Sequence, residues 1–187
     1  MELAHCSRIF RELEAQRAEL LEEFATWSTT RLDFRPAPGA WSVVEVLDHI
    51  VRAENGTIAD LRTGLQNPHP LGEEERPGIA ALDRALRSDQ SFKVPATAAA
   101  IHPDAQTTLA DVADRWQQAR VDLGSLLETL PPGIDRCGVF RHPFAGWMTV
   151  ADVLEHFSAH LYHHGFQLER LRASSASSSD SAPRSLQ

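Results

Sequence analysis

The chain has 187 residues, 42% of them hydrophobic and 24% charged, a balance that fits one globular domain with room for a sizeable core. Its net charge of −8 and its single lysine, Lys93, leave no basic stripe, which excludes nucleic acid as an electrostatically held partner. No apolar run approaches the roughly 18 residues of a membrane span, and the opening MELAHCSRIF lacks a secretory leader pattern, so the expectation is a cytoplasmic protein with no membrane contact.

Apolar residues recur at helical spacing from Leu3 through Phe24, predicting a long amphipathic helix over residues 2 to about 27. His5 lies near its fraying start, exposed or at most a fourth ligand to an ion. Cys6 and Cys137 are far apart in sequence and form no CxxC motif; both read as reduced thiols. Residues 28 to 40 form a linker closed by Pro36, Pro38 and Gly39. Ser42 with Glu45 makes a capping box, and the apolar residues from Val43 to Leu65 predict a second helix over about 43 to 66.

With His49 at zero on a helical wheel, that apolar face spans about 40° to 180°, so His49 flanks it. Glu45 is the weaker ligand candidate, its simpler role being the cap. Glu54 falls at about 140°, inside the apolar stripe, where an unpaired carboxylate is costly. Two partners suit it: an imidazole that binds an ion, or an arginine.

Prolines 68, 70, 77, 95 and 103 break residues 67 to 106, leaving a short helix near 79 to 87. A connection this long suggests a covering segment and a crossover between non-neighbouring helices. His69 and His102, each beside a proline, read as surface residues. Thr108 with Asp111 opens a third helix that stops at Pro131, Pro132 and Gly133. Residues 134 to 148 hold Phe140, His142, Phe144 and Trp147, enough aromatic surface to wall a pocket or to plug an open bundle end.

Thr149 with Asp152 caps the last helix, about 150 to 172, which carries four of the nine histidines. With His160 at zero, the apolar arc covers about 20° to 120°; His164 falls inside it at about 40°, Gln167 at about −20°, His156 and His163 at about −40° and −60°. Histidines four apart stack one turn above another, close enough to share an ion at about 2.0–2.1 Å. The plainer reading of such a pair is a polar helix edge with one satisfied core histidine, and His49 is the natural third ligand that would make it a site. From residue 174 the chain is a serine-rich, low-complexity tail to 187, expected disordered or ordered only by neighbours.

Four long amphipathic helices with one long crossover between the second and third make an all-α four-helix bundle, over residues 1 to 173. The segment PAPGAWSVVEVLDHI, the HP at 142–143 and GWMTVADVLEHFSAHLYHHGFQLERL resemble the DinB and YfiT superfamily of metal-binding bundles. The resemblance implies a divalent ion, zinc or nickel foremost and iron third, held by His49, His160 and His164. It also implies that His163, at a position commonly histidine in the family, is no ligand. His163 and Gln167, which matches too, are candidates to support the ligands from behind, Gln167 otherwise a packing amide against the loop. Glu54 joins them by its wheel position unless it pairs with arginine.

An ion held by three imidazoles keeps open positions, as catalytic sites do; it would acidify a water or hold a substrate thiolate deprotonated. The family is similar to S-transferases that use a low-molecular-weight thiol such as bacillithiol or mycothiol with a small electrophilic substrate. Metal-dependent hydrolysis, or a non-catalytic, stress-associated metal- or ligand-binding role, is the alternative. The apolar surplus on the first and third helices is compatible with a homodimer.

Overall fold

The three capping signatures all open helices by the same exchange. The Ser42 hydroxyl accepts the Glu45 N–H while the Glu45 carboxylate accepts the Ser42 N–H at 2.8 Å. Thr108 with Asp111 and Thr149 with Asp152 repeat it. The computed structural model describes residues 2–72, 78–90 and 96–179. Its helices are α1 (Glu2–Ala25), α2 (Thr29–Leu32), α3 (Val43–Gln66), α4 (Ile79–Leu86), α5 (Leu109–Glu128) and α6 (Val150–Ser179). Short 3-10 turns occupy Ala96–Ile101 and Ile134–Arg136, and the strands are β1 (His69–Pro70), β2 (Cys137–Gly138), β3 (Phe140–His142) and β4 (Gly146–Met148).

The four long helices form the predicted bundle. α1 packs on α5 and α6, and α3 packs on the same two, so α1 and α3 stand on a diagonal. Charged pairs set the directions: Asp48–Arg115, Glu54–Arg120 and Arg62–Asp122 climb α3 and α5 in the same sense, which makes these neighbours parallel. His5–Glu155 and Glu23–Arg172 do the same for α1 and α6, whereas Glu14–Arg120, with Phe10 against Gly124, makes α1 antiparallel to α5.

The long connection after α3 therefore joins neighbours, contrary to the expected non-neighbouring link. Its length has another cause: parallel helices require the chain to travel back along the whole bundle before starting again. On the way it covers the molecule, α4 against α6 and the Ala96–Ile101 turn against α3. Glu73, Glu74, Glu75, Pro77, Lys93 and Pro95, with tail residues 180–187, lie outside the described residues.

Residues 134–148 carry more regular structure than their composition suggests. β1 pairs antiparallel with β2, matching His69 to Gly138, and β3 with β4, matching Arg141 to Trp147. Strands of two or three residues are too short to show an alternating pattern. Val139, Ala145 and Met148 are buried there and close the bundle end, while Phe144 is 76% exposed. The linker after α1 likewise contains the one-turn helix α2, capped by the Ser28 hydroxyl.

Helix α6 continues to Ser179, into the serine-rich stretch expected from 174 to be disordered or ordered only by neighbours. Extending an existing helix costs far less than nucleating one. The hydroxyls of Ser174 and Ser175 bond back to the carbonyls of Arg170 and Arg172, and Arg31 of α2 donates to Ser175 at 3.1 Å.

Backbone contact is closest where α3 passes β2 and β3. A Cβ on Gly64 would fall inside the shell of the Val139 carbonyl oxygen, so only glycine fits without moving a backbone. Gly64→Ala is expected to lower stability by about 1–3 kcal/mol through overpacking, read as a shift of the urea midpoint.

Candidate metal centre

Two helices bring three imidazoles to one point. His49 stands in the second turn of α3, while His160 and His164 stand one turn apart on α6, the helix packed against it. The His49 ring centroid lies 5.2 Å from that of His160 and 4.9 Å from that of His164, and the two α6 rings are 4.6 Å apart. One nitrogen from each lies within 4.8 Å of the others. The Nε2 atoms of His160 and His164 are 3.1 Å apart, close to the about 3.3 Å that separates two tetrahedral ligand atoms at about 2.0–2.1 Å from an ion.

Hydrogen bonds select which nitrogens face inward. His49 Nδ1 donates to the Ile101 carbonyl at 2.7 Å, and His164 Nδ1 donates to Gln167 Oε1 at 3.1 Å. Each ring is thereby left with its lone pair on Nε2, the atom available to a metal. This donor set fits a divalent ion: neutral imidazoles, two of them fixed from behind, and no carboxylate among the three.

Burial keeps these rings neutral. It pushes His164 down to about 3, helped by His49, and holds His160 well below the ordinary imidazole value, helped by the imidazoles around it. His49 is lowered by burial against the opposing effect of its bond to Ile101. His156, whose ring lies 5.9 Å from that of His160 and 5.1 Å from that of His142, is pushed down to about 4 by burial and then by His142.

A pH dependence follows. These folded-state values lie below the unfolded value of about 6.5, so on acidification the unfolded chain takes up protons that the fold refuses. Stability of the metal-free protein is full above about pH 6.5 and declines steadily as the pH falls toward 4. A thermal midpoint lower at pH 5 than at pH 7.5, with net proton uptake on unfolding at pH 5, is the expected result.

The other candidate residues go elsewhere. Glu54 reaches no imidazole; of its two possible roles it takes the arginine pair, accepting from Arg120 Nη2 at 2.9 Å and Trp116 Nε1 at 2.8 Å. Burial raises its carboxyl pKa, and Arg120 and Trp116 oppose the shift. His163 touches the His164 ring but bonds to the backbone of Ser88 and Leu86, so it faces the crossover. Gln167 holds His164.

Glu45 serves the cap and pairs with Arg35 at 2.7 and 2.8 Å. His5 pairs with Glu155 of α6 and, among the described residues, is not part of the histidine cluster. His69 stacks on Trp147 with centroids 4.6 Å apart, and His102 is exposed.

The Ile101 carbonyl was not singled out from sequence, and the contacts of Trp41, whose ring lies 5.0 Å from that of His49, and of His142 with His156 were not assigned there. The HxxxH spacing of His156 and His160 was visible in the chain. The carbonyl had no side-chain signature to read.

A model of the DinB superfamily matches residues 12–168, a span that includes all three clustered histidines. The chain belongs to the DinB superfamily. Comparison with curated protein sequences finds no match. Among solved structures this DinB-superfamily chain is similar to YfiT from Bacillus subtilis, described as a probable metal-dependent hydrolase with an unusual four-helix bundle topology. The TM-score is 0.62 at 19% identity, over 90% of this chain and 86% of that one. At that identity the likeness is one of fold, and it agrees with the bundle built above.

Proposed function

We propose that this DinB-superfamily protein is a cytoplasmic enzyme dependent on a divalent metal, of the thiol-dependent S-transferase type. The observation that carries the proposal is the convergence of His49, His160 and His164 with Nδ1 of two rings already engaged. Zinc and nickel both suit three imidazoles and leave positions for a reactant. An ion held by His49, His160 and His164 would supply Lewis acidity and would favour the nucleophilic, deprotonated form of a thiol.

The chain's own residues then have separate tasks. His49 and His164 are buried and His160 is the least covered residue of the three, which favours its side for the approach of reactants. Beyond it the covered His156 ring leads through His142 to the exposed Phe144, whose flat ring surface is open to a small electrophile. In the transfer itself a C–S bond forms as the bond to the leaving group breaks, and the leaving group departs with the electron pair.

Hydrolysis is the second reading, favoured by the description of YfiT. Metal-loaded and chelator-stripped protein, each given a chlorinated nitroarene or a chromogenic ester with and without a small thiol, separates the possibilities. Metal-dependent chloride release with adduct formation supports transfer. Metal-dependent ester cleavage indifferent to thiol supports hydrolysis, and turnover of neither class by the loaded protein leaves a binding role.

A further inference from the structure

Asp48, the residue before His49, is fully buried, yet its place on the helical wheel, about −100° from His49, lies outside the apolar arc of α3. Three groups surround its carboxylate. Oδ2 accepts the Arg52 Nε–H at 2.8 Å and the backbone N–H of Asp104 at 2.7 Å, and Oδ1 pairs with Arg115 Nη2 of α5 at 2.7 Å. Two guanidinium groups compensate the charge, as burial of a carboxylate requires.

The N–H that Asp48 holds belongs to the same short stretch whose carbonyl holds His49. The two consecutive side chains thus grip residues 101–104 at both ends, His49 on the Ile101 carbonyl and Asp48 on the Asp104 N–H. Between the two lies Pro103, whose ring locks φ and removes a donor, so little slack separates the anchors. A further backbone bond, His102 N–H to the Ala99 carbonyl, stiffens the stretch from its other side.

We infer that Asp48 is a positioning residue for the three-histidine site: by anchoring residue 104 it places the Ile101 carbonyl, which fixes the tautomer and ring orientation of His49. This rests on the metal-site reading above, but its first consequence concerns the metal-free protein. With Asp48 intact, His49 carries its proton on Nδ1 and presents Nε2. Without the anchor, the carbonyl drifts and the ring samples both tautomers. His164, held separately by Gln167, does not respond.

The test uses the full chain and its Asp48→Ala and Asp48→Asn variants, with Gly64→Ala at the far end of α3 as a control for general loss of stability. Long-range ¹⁵N–¹H correlation in metal-free protein reports each tautomer, and competition against a chromophoric chelator reports zinc affinity. Asp48→Ala is expected to shift His49 to mixed tautomers, leave His164 unchanged and weaken zinc binding by about 10–100-fold. Asp48→Asn keeps an oxygen for the Asp104 N–H and should fall between parent and alanine variant, whereas Gly64→Ala should keep parental affinity.

A His49 tautomer unchanged in both Asp48 variants overturns the inference even where stability drops, as does equal loss of zinc affinity in Gly64→Ala. Failure of the parent to bind zinc overturns the metal reading instead and leaves the tautomer result to judge Asp48 separately. If Asp48→Ala does not fold, the asparagine variant decides by the same two readouts.

Discussion

His164→Ala should abolish stoichiometric zinc binding, and His49→Ala should do the same. Each removes one of three nitrogens that meet within 4.8 Å, leaving two imidazoles to hold the ion. Loss of a partner that only orients a ligand costs about 10–100-fold in metal affinity, so loss of a ligand itself should exceed about 100-fold. Gln167→Ala, which frees His164 Nδ1, should fall in that lower range. His163→Ala should stay near the parent, because His163 is directed to the crossover backbone. Elemental analysis after dialysis, followed by chelator competition, measures all four. Metal retained at full stoichiometry in both ligand variants would sink the proposed site.

The second large effect concerns stability rather than the ion. Arg120 is 1% exposed and bridges Glu54 of α3 to Glu14 of α1, so Arg120→Ala strands a buried carboxylate with only Trp116 to support it. Breaking one side of such a pair costs about 3–5 kcal/mol, whereas replacing both charges with well-packed apolar groups is often neutral or stabilising. Arg120→Ala should therefore lower the unfolding free energy by about 3–5 kcal/mol, and Glu54→Leu with Arg120→Met should recover most of the loss. Urea denaturation checks the energies. Zinc affinity should be unchanged in the double variant, since Glu54 lies about 140° around α3 from His49.

The contrast between these predictions separates two kinds of polar residue inside one bundle. His49 and Glu54 share a helix, and both are buried polar groups flanking or interrupting an apolar stripe. Neighbours alone distinguish them: a backbone carbonyl and two further imidazoles for one, a guanidinium and an indole for the other. Periodicity could show that Glu54 needed a partner but could not name it. The choice depends on which residues of α5 face α3, and hence on the parallel packing of those helices.

The starts of three helices and the candidate histidines were legible because both are local. A cap is an exchange between residues three apart, and an HxxxH pair is one turn of a helix, so Ser42, Thr108, Thr149, His160 and His164 announce themselves within a few positions. His49 was legible by its place on the edge of an apolar arc. The hairpin at residues 140–148 and the turn at 29–32 were not, being too short for any period to register.

The amino-acid sequence by itself determined the four long helices and their buried faces, and marked the three histidines as candidates to share an ion. Tertiary structure alone decided that α3 and α5 run parallel, that Glu54 pairs with Arg120, and that residues 101–104 lie across His49. The physical reason is the range of the interaction: side-chain periodicity records what each helix buries, whereas the partner it meets, above all a backbone carbonyl shared by every residue type, depends on chain segments some fifty positions away.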